Sequence, residues 1–133
     1  MKNNREYIYS FPNTSCTLRV IEHLKNKYKS YLVSVAVINL IDCWLIRLSL
    51  NKYTTDVLNK NLHAFLNEMG LAQTPNNEVL QALHSLDCGE SPTVVMNRYR
   101  VAIVSHGKPE TEEIEIFRDR IVERLGYCPQ TMA

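Results

Sequence analysis

Tyr31–Asn51 reads YLVSVAVINLIDCWLIRLSLN and is the densest apolar segment of the chain. In an extended backbone Val33, Val35 and Val37 fall on one side, with Ser34 and Ala36 on the other. Beyond Asn39–Asp42, Ile46, Leu48 and Leu50 share a side, opposed by Arg47 and Ser49. A period of two with this many β-branched residues predicts a hairpin of two core strands. The alternative is a mostly α-helical protein in which residues 31–50 form one buried central helix, apolar nearly all round. As a membrane span the segment would carry Asp42 and Arg47, each costing about 2.5–3.5 kcal/mol at mid-bilayer. A soluble core is the better expectation, with no membrane partner.

Working outward, Tyr7–Phe11 is aromatic and β-branched and is stopped by Pro12-Asn13, as a short strand would be. Thr14 or Ser15 then caps a predicted helix to about Tyr28, with Leu18, Val20, Ile21 and Leu24 inward. Thr54 or Thr55 caps a second helix that Gly70 closes, and Thr74-Pro75 opens a third that ends before Gly89. Thr93–Ser105 reads as a strand, because Arg98 and Arg100 alternate with Tyr99 and Val101. Glu110–Leu125 is a last helix, acidic at its start and basic towards its end, which suits the helix dipole. The predicted order is β-α-β-β-α-α-β-α. It is an α+β single domain over 1–133, with flexible tails at 1–5 and 127–133. The architecture it implies is the split βαβ, ferredoxin-like one, an antiparallel sheet with helices on one face.

The 133 residues are one domain's worth, and 45% apolar with 22% charged is a globular composition. Fifteen basic against 14 acidic residues leave a net charge of +1, which argues against bulk nucleic acid or an anionic membrane as the main partner. Met1–Arg5 is followed by no long apolar run, so a cytoplasmic location is expected, with Cys16, Cys43, Cys88 and Cys128 reduced.

No catalytic, metal or nucleotide signature stands in the chain. His84 and Cys88, four apart on one helix face, are two zinc ligands where a structural site needs four. Cys43, between Asp42 and Trp44, reads as a buried, inert thiol. Ser105-His106-Gly107-Lys108 precedes a helix N-terminus, but Glu110, Glu112 and Glu113 repel a phosphate there. The third helix has no Lys or Arg on its polar side, which argues against major-groove DNA binding. No cofactor, metal or catalytic residue is therefore assigned.

What remains is interaction. A sheet covered on one face leaves the other open, and Trp44, Arg47, Tyr7, Tyr9, Arg98 and Arg100 are the side chains expected there. The functional expectation is a small non-enzymatic regulatory or adaptor protein that self-associates as a homodimer and binds a protein partner. One alternative is an RNA-binding module using the sheet face and Lys25–Lys29. Another is a small enzyme using His106.

Overall fold

The apolar stretch folds as the hairpin its period requires. In the computed structural model, which describes residues 5–133, β2 (Leu32–Leu40) and β3 (Cys43–Leu50) are joined by the turn Ile41-Asp42. They pair antiparallel from Leu40↔Cys43 to Leu32↔Leu50. The buried-helix alternative for 31–50 is overturned, since alternate side chains are needed on two opposite faces. β1 (Arg5–Phe11) pairs antiparallel with the other side of β3, from Arg5↔Leu50 to Phe11↔Trp44. The two-residue β4 (Leu71–Ala72) borders β1, and β5 (Ala102–Gly107) borders β2. The result is a five-stranded antiparallel sheet in the order β4-β1-β3-β2-β5, in a single α+β domain.

Helices cover both faces of this sheet, not one. Against the first face, built from Tyr9, Phe11, Val35, Val37, Trp44, Ile46, Leu48 and Leu50, pack α1 (Thr14–Lys27), α2 (Asp56–Met69) and α5 (Thr111–Leu125). Against Ala36, Ile38 and Leu45 on the second face pack α3 (Asn77–Asp87) and α4 (Pro92–Tyr99), through Val79, Ala82, Leu83, Leu86 and Val95. The expected cover by helices on one face only fails for a physical reason. Residues 35–38 and 44–46 are apolar at every position, which marks strands buried on both sides.

Local signals explain the other departures. Thr93–Tyr99 is helical because Ser91 accepts from the Val94 amide and Pro92 occupies the first helical position, where its missing N–H costs nothing. Arg100, in the left-handed region at φ 56°, ends that helix, and the strand starts only at Ala102. The cap of α1 is Asn13, whose Oδ1 accepts from Cys16 N at 2.9 Å; Thr14 and Ser15 face the chain's end instead. That end is not a loose tail. Gln130–Met132 forms a 3-10 helix, Met132 is buried, and Trp44 Nε1–H donates to Thr131 O at 2.8 Å. Arg5 opens β1 rather than belonging to a tail, and residues 1–4 lie outside the described residues.

Gly70 links α2 to β4 at a point of close approach. A Cβ there would stand 2.2 Å from Ser10 O and 2.6 Å from the Phe11 ring. Gly70→Ala is expected to destabilise by about 1–3 kcal/mol through overpacking, read as a lower urea midpoint. An unchanged midpoint would mean that β4 does not hold this position in solution. Trp44 sits edge-on to Phe117 at 5.6 Å and is fully buried. Trp44→Ala is therefore expected to cost about 3–5 kcal/mol of monomer stability. Removing residues 130–133 in the same background should cost less than in the wild type, because both changes delete one shared contact.

Candidate functional site

The antiparallel register lines up Ile8, Arg47, Ala36 and His106 as one row across the second face. Two bulges shape the sheet around this row. In β5, Val37 pairs with Ser105 and Ile38 with Ile103, so Val104 is an extra residue. It turns both Ile103 and His106 to the second face, three positions apart, where a regular strand would oppose them. In β2 the extra residue is Val33, between the pairs Leu32↔Leu50 and Ser34↔Ser49. Val33 is left half exposed at the rim of a cavity of about 340 Å³ beside Arg47 and His106.

Arg47 is the centre of this site. It is 2% exposed, the one charged side chain among the described residues that is fully buried. Burying a lone cation costs several kcal/mol, so partners are obligatory. Its Nη1 donates to Asp87 Oδ2 at 2.8 Å and lies 3.5 Å from Glu6 Oε2. Asp87 ends α3, and the guanidinium beside it places a cation at a helix C-terminus. Nε and Nη2 of Arg47 are equally shut off from solvent and have no hydrogen-bond partner among the described residues. Ala36, paired with both Arg47 and His106, is small enough to leave the space between them. Burial depresses the His106 pKa, the Arg47 charge depresses it further, and Asp87 only partly opposes them. The site thus holds one enclosed cation, two half-exposed carboxylates and an imidazole that stays neutral at pH 7.

The residues expected on an open face are placed differently. Trp44 and Tyr9 are core on the first face, and Tyr7 is half buried there. Tyr9 donates its hydroxyl to Asn67 Oδ1 at 2.6 Å, and Tyr7 donates to Asn59 Oδ1 at 2.9 Å. Arg98 is on α4, exposed and paired with Glu90 at 2.7 Å, and Arg100 is the exposed cap of that helix. Of the six, only Arg47 belongs to the site, and it points inward where strand alternation suggested solvent. Glu6 and Asp87 were not singled out from sequence. Each is about 40 positions from Arg47, and nothing local marks them; the one readable signal was an Arg set between Ile46 and Leu48.

Other sequence candidates separate cleanly. Lys25 and Lys29 meet Lys108 along a groove of about 580 Å³ between α1, the start of β2 and the loop into α5, with Lys25 3.7 Å from Glu110. His84 Nε2 and Cys88 Sγ stand 3.7 Å apart on the exposed end of α3, and no third metal-ligating side chain joins them among the described residues. Cys43 is half buried beside a second groove, and burial followed by the Asp42 charge pushes its thiol pKa up, away from nucleophilic character. No helix among the described residues is long and apolar enough to cross a membrane.

No family model and no curated protein matches the chain. Among solved structures it is similar to the crystal structure of the C-terminal domain of YpbH, at 16% sequence identity and a TM-score of 0.48. The match covers 85% of this chain and 98% of that one.

The depressed His106 pKa, and that of His23, which is lowered by burial and then by Lys27, fix the sign of a pH effect. In the unfolded chain both titrate near 6.5, and in the folded chain below it. The unfolded state therefore binds more protons as pH falls below 6.5, and stability drops in that window. Urea midpoints measured across the window should show this slope, and His106→Gln should make it shallower. A slope unchanged in that variant would place His106 in solvent.

Proposed function

We propose that the protein is a small non-enzymatic regulatory or adaptor module that acts by pairing its β5 edge with another polypeptide, first of all a second copy of itself. The observation that carries this reading is the asymmetry of the two sheet edges. One edge is β4, only two residues long, and shortness is a standard protection against strand pairing. The other is the six-residue β5, AIVSHG, which contains no Lys, Arg, Asp, Glu or Pro to discourage a partner strand. Only its bulge at Val104 interrupts the ladder.

Antiparallel pairing of β5 with β5 across a two-fold axis needs one self-complementary edge and joins two sheets into one. A stable interface buries about 1,200–2,000 Å², more than a strand pair supplies, so the flanking helices must contribute. Exposed Val94 on α4 and Ile116 on α5 are apolar side chains of those helices. The open sheet face no longer supports a dimer, since α3 and α4 cover it.

A second reading has its own observation. Lys25, Lys29 and Lys108, two of them more than 75 positions from the third, line one groove and would suit the phosphates of a single-stranded RNA. It has lost the sheet face, and Glu110 already occupies Lys25. A small enzyme using His106 has less support, because no hydroxyl or thiol among the described residues hydrogen-bonds the imidazole, whose charged neighbours are Arg47 and Asp87.

Light scattering combined with amide hydrogen exchange tests the β5 reading. The expected result is a dimer in which Ala102–Gly107 amides gain protection with protein concentration while Leu71–Ala72 amides do not. A strict monomer, or a dimer that leaves β5 exchange unchanged, would overturn it. RNA binding that weakens steeply with salt and is lost in Lys29→Glu would favour the groove instead.

A further inference from the structure

The outer face of α3 carries half of a metal site. Leu80, His84 and Cys88 stand at four-residue spacing and so share one stripe of the helix. The opposite side, through Val79, Ala82, Leu83 and Leu86, packs on the sheet, which leaves His84 and Cys88 exposed to solvent. His84 Nε2 and Cys88 Sγ are 3.7 Å apart. Around a tetrahedral zinc ion, Zn–S at about 2.3 Å and Zn–N at about 2.0–2.1 Å set two such ligands about 3.6 Å from one another. The pair thus already holds the spacing that one edge of the tetrahedron requires. The backbone keeps it there, because Cys88 N–H donates to His84 O at 3.0 Å and closes the last turn around both residues. Charge also favours a cation at this place: α3 contains Glu78 and Asp87 and no Lys or Arg, and the negative end of its dipole lies at Cys88.

Two ligands do not make a closed zinc site, and no third joins them within the chain among the described residues. A two-fold axis supplies the rest. It sets a second His84 and a second Cys88 opposite the first pair, and two Cys with two His are a standard ligand set of structural zinc. An unrelated partner would have to present a matching pair by coincidence, whereas a second copy of this chain always carries one. Leu80, one turn before His84, is 41% exposed and adds an apolar contact on the same stripe. A metal-bridged contact needs less buried area than a metal-free dimer, since coordination supplies much of the binding energy.

We propose that His84 and Cys88 of two copies of this chain bind one zinc ion between them, and that zinc joins the copies through their α3 helices. On coordination each Cys88 thiol releases its proton to solvent and its sulfur donates to the metal as thiolate, while each His84 donates through the lone pair of a neutral imidazole. No oxidant or reductant takes part. The contact uses the outer face of α3 and not the β5 edge, so it does not rest on strand pairing there.

Titration of the intact, reduced and metal-free chain with zinc chloride, followed by light scattering, tests the assignment. The expected result is a gain in mass that saturates at one ion per two chains and is reversed by EDTA. Cobalt(II) in place of zinc should give the visible absorption of a tetrahedral site together with a near-ultraviolet thiolate band. Lower pH should weaken binding, because protons compete for the thiolate and the imidazole. Cys88→Ser and His84→Ala, both at exposed positions, should keep the wild-type urea midpoint and lose the zinc-dependent gain. Cys128→Ser, at an exposed cysteine outside α3, should retain it. A β5 dimer persists in EDTA, so failure of the strand-pairing reading shows as a metal-free monomer, and failure of this one as a mass that zinc does not raise. No gain in mass with zinc, saturation at one ion per chain without association, or a gain that survives in Cys88→Ser would each overturn the proposal.

Discussion

The structure depends on a central hairpin that is apolar on both of its faces. Antiparallel strands often leave one face to water, and their polar residues then alternate out. Here Val35, Val37, Ile46 and Leu48 on one side and Ala36, Ile38 and Leu45 on the other all need cover. Three helices supply it on the first face and two on the second, so five helices serve a sheet whose central hairpin is apolar on both sides. Removing either layer would leave a continuous apolar surface, which small monomers rarely tolerate. The 3-10 helix at residues 130–132 completes the first layer by closing over Trp44.

Arg47 is the price of this arrangement and its most informative feature. A charged residue in the middle of a doubly covered strand must be neutralised within the protein, and the fold brings Glu6 from β1 and Asp87 from the end of α3 to do so. The β5 bulge then delivers His106 to the same face, where burial and the nearby guanidinium keep it uncharged. Sheet register, two bulges and one helix end thus converge on a single pocket. Such convergence of titratable groups with an incompletely paired cation is a common mark of a binding site.

Much of the fold was legible because its signals are local. The hairpin follows from a period of two over 31–50, α2 and α5 from apolar stripes at helical spacing, and the α2 terminus from Gly70. The errors have equally specific causes. Two arginines flanking a tyrosine imitate strand alternation at 98–100, although Ser91-Pro92 is a strong helix start. Trp44 has the same parity as Ile46 and Leu48, which should have placed it on their face; reading it only against Leu45 set it in solvent. The site itself was largely illegible. Glu6, Asp87 and His106 reach Arg47 through strand order, through the end of a distant helix and through a bulge, and none of these is written in neighbouring residues.

The central claim is that Arg47 is enclosed and electrostatically coupled to Asp87, since the charge arrangement of the pocket rests on that pair. A double-mutant cycle with Arg47→Met, which keeps the buried stem's volume, and Asp87→Asn measures that coupling from denaturant stability. Because Asp87 is half exposed and partly screened, the expected interaction energy lies at the low end of about 0.5–3 kcal/mol, with the double variant more stable than the sum of the single effects. Effects that simply add would mean that the two side chains do not meet, and would contradict the account of the second face.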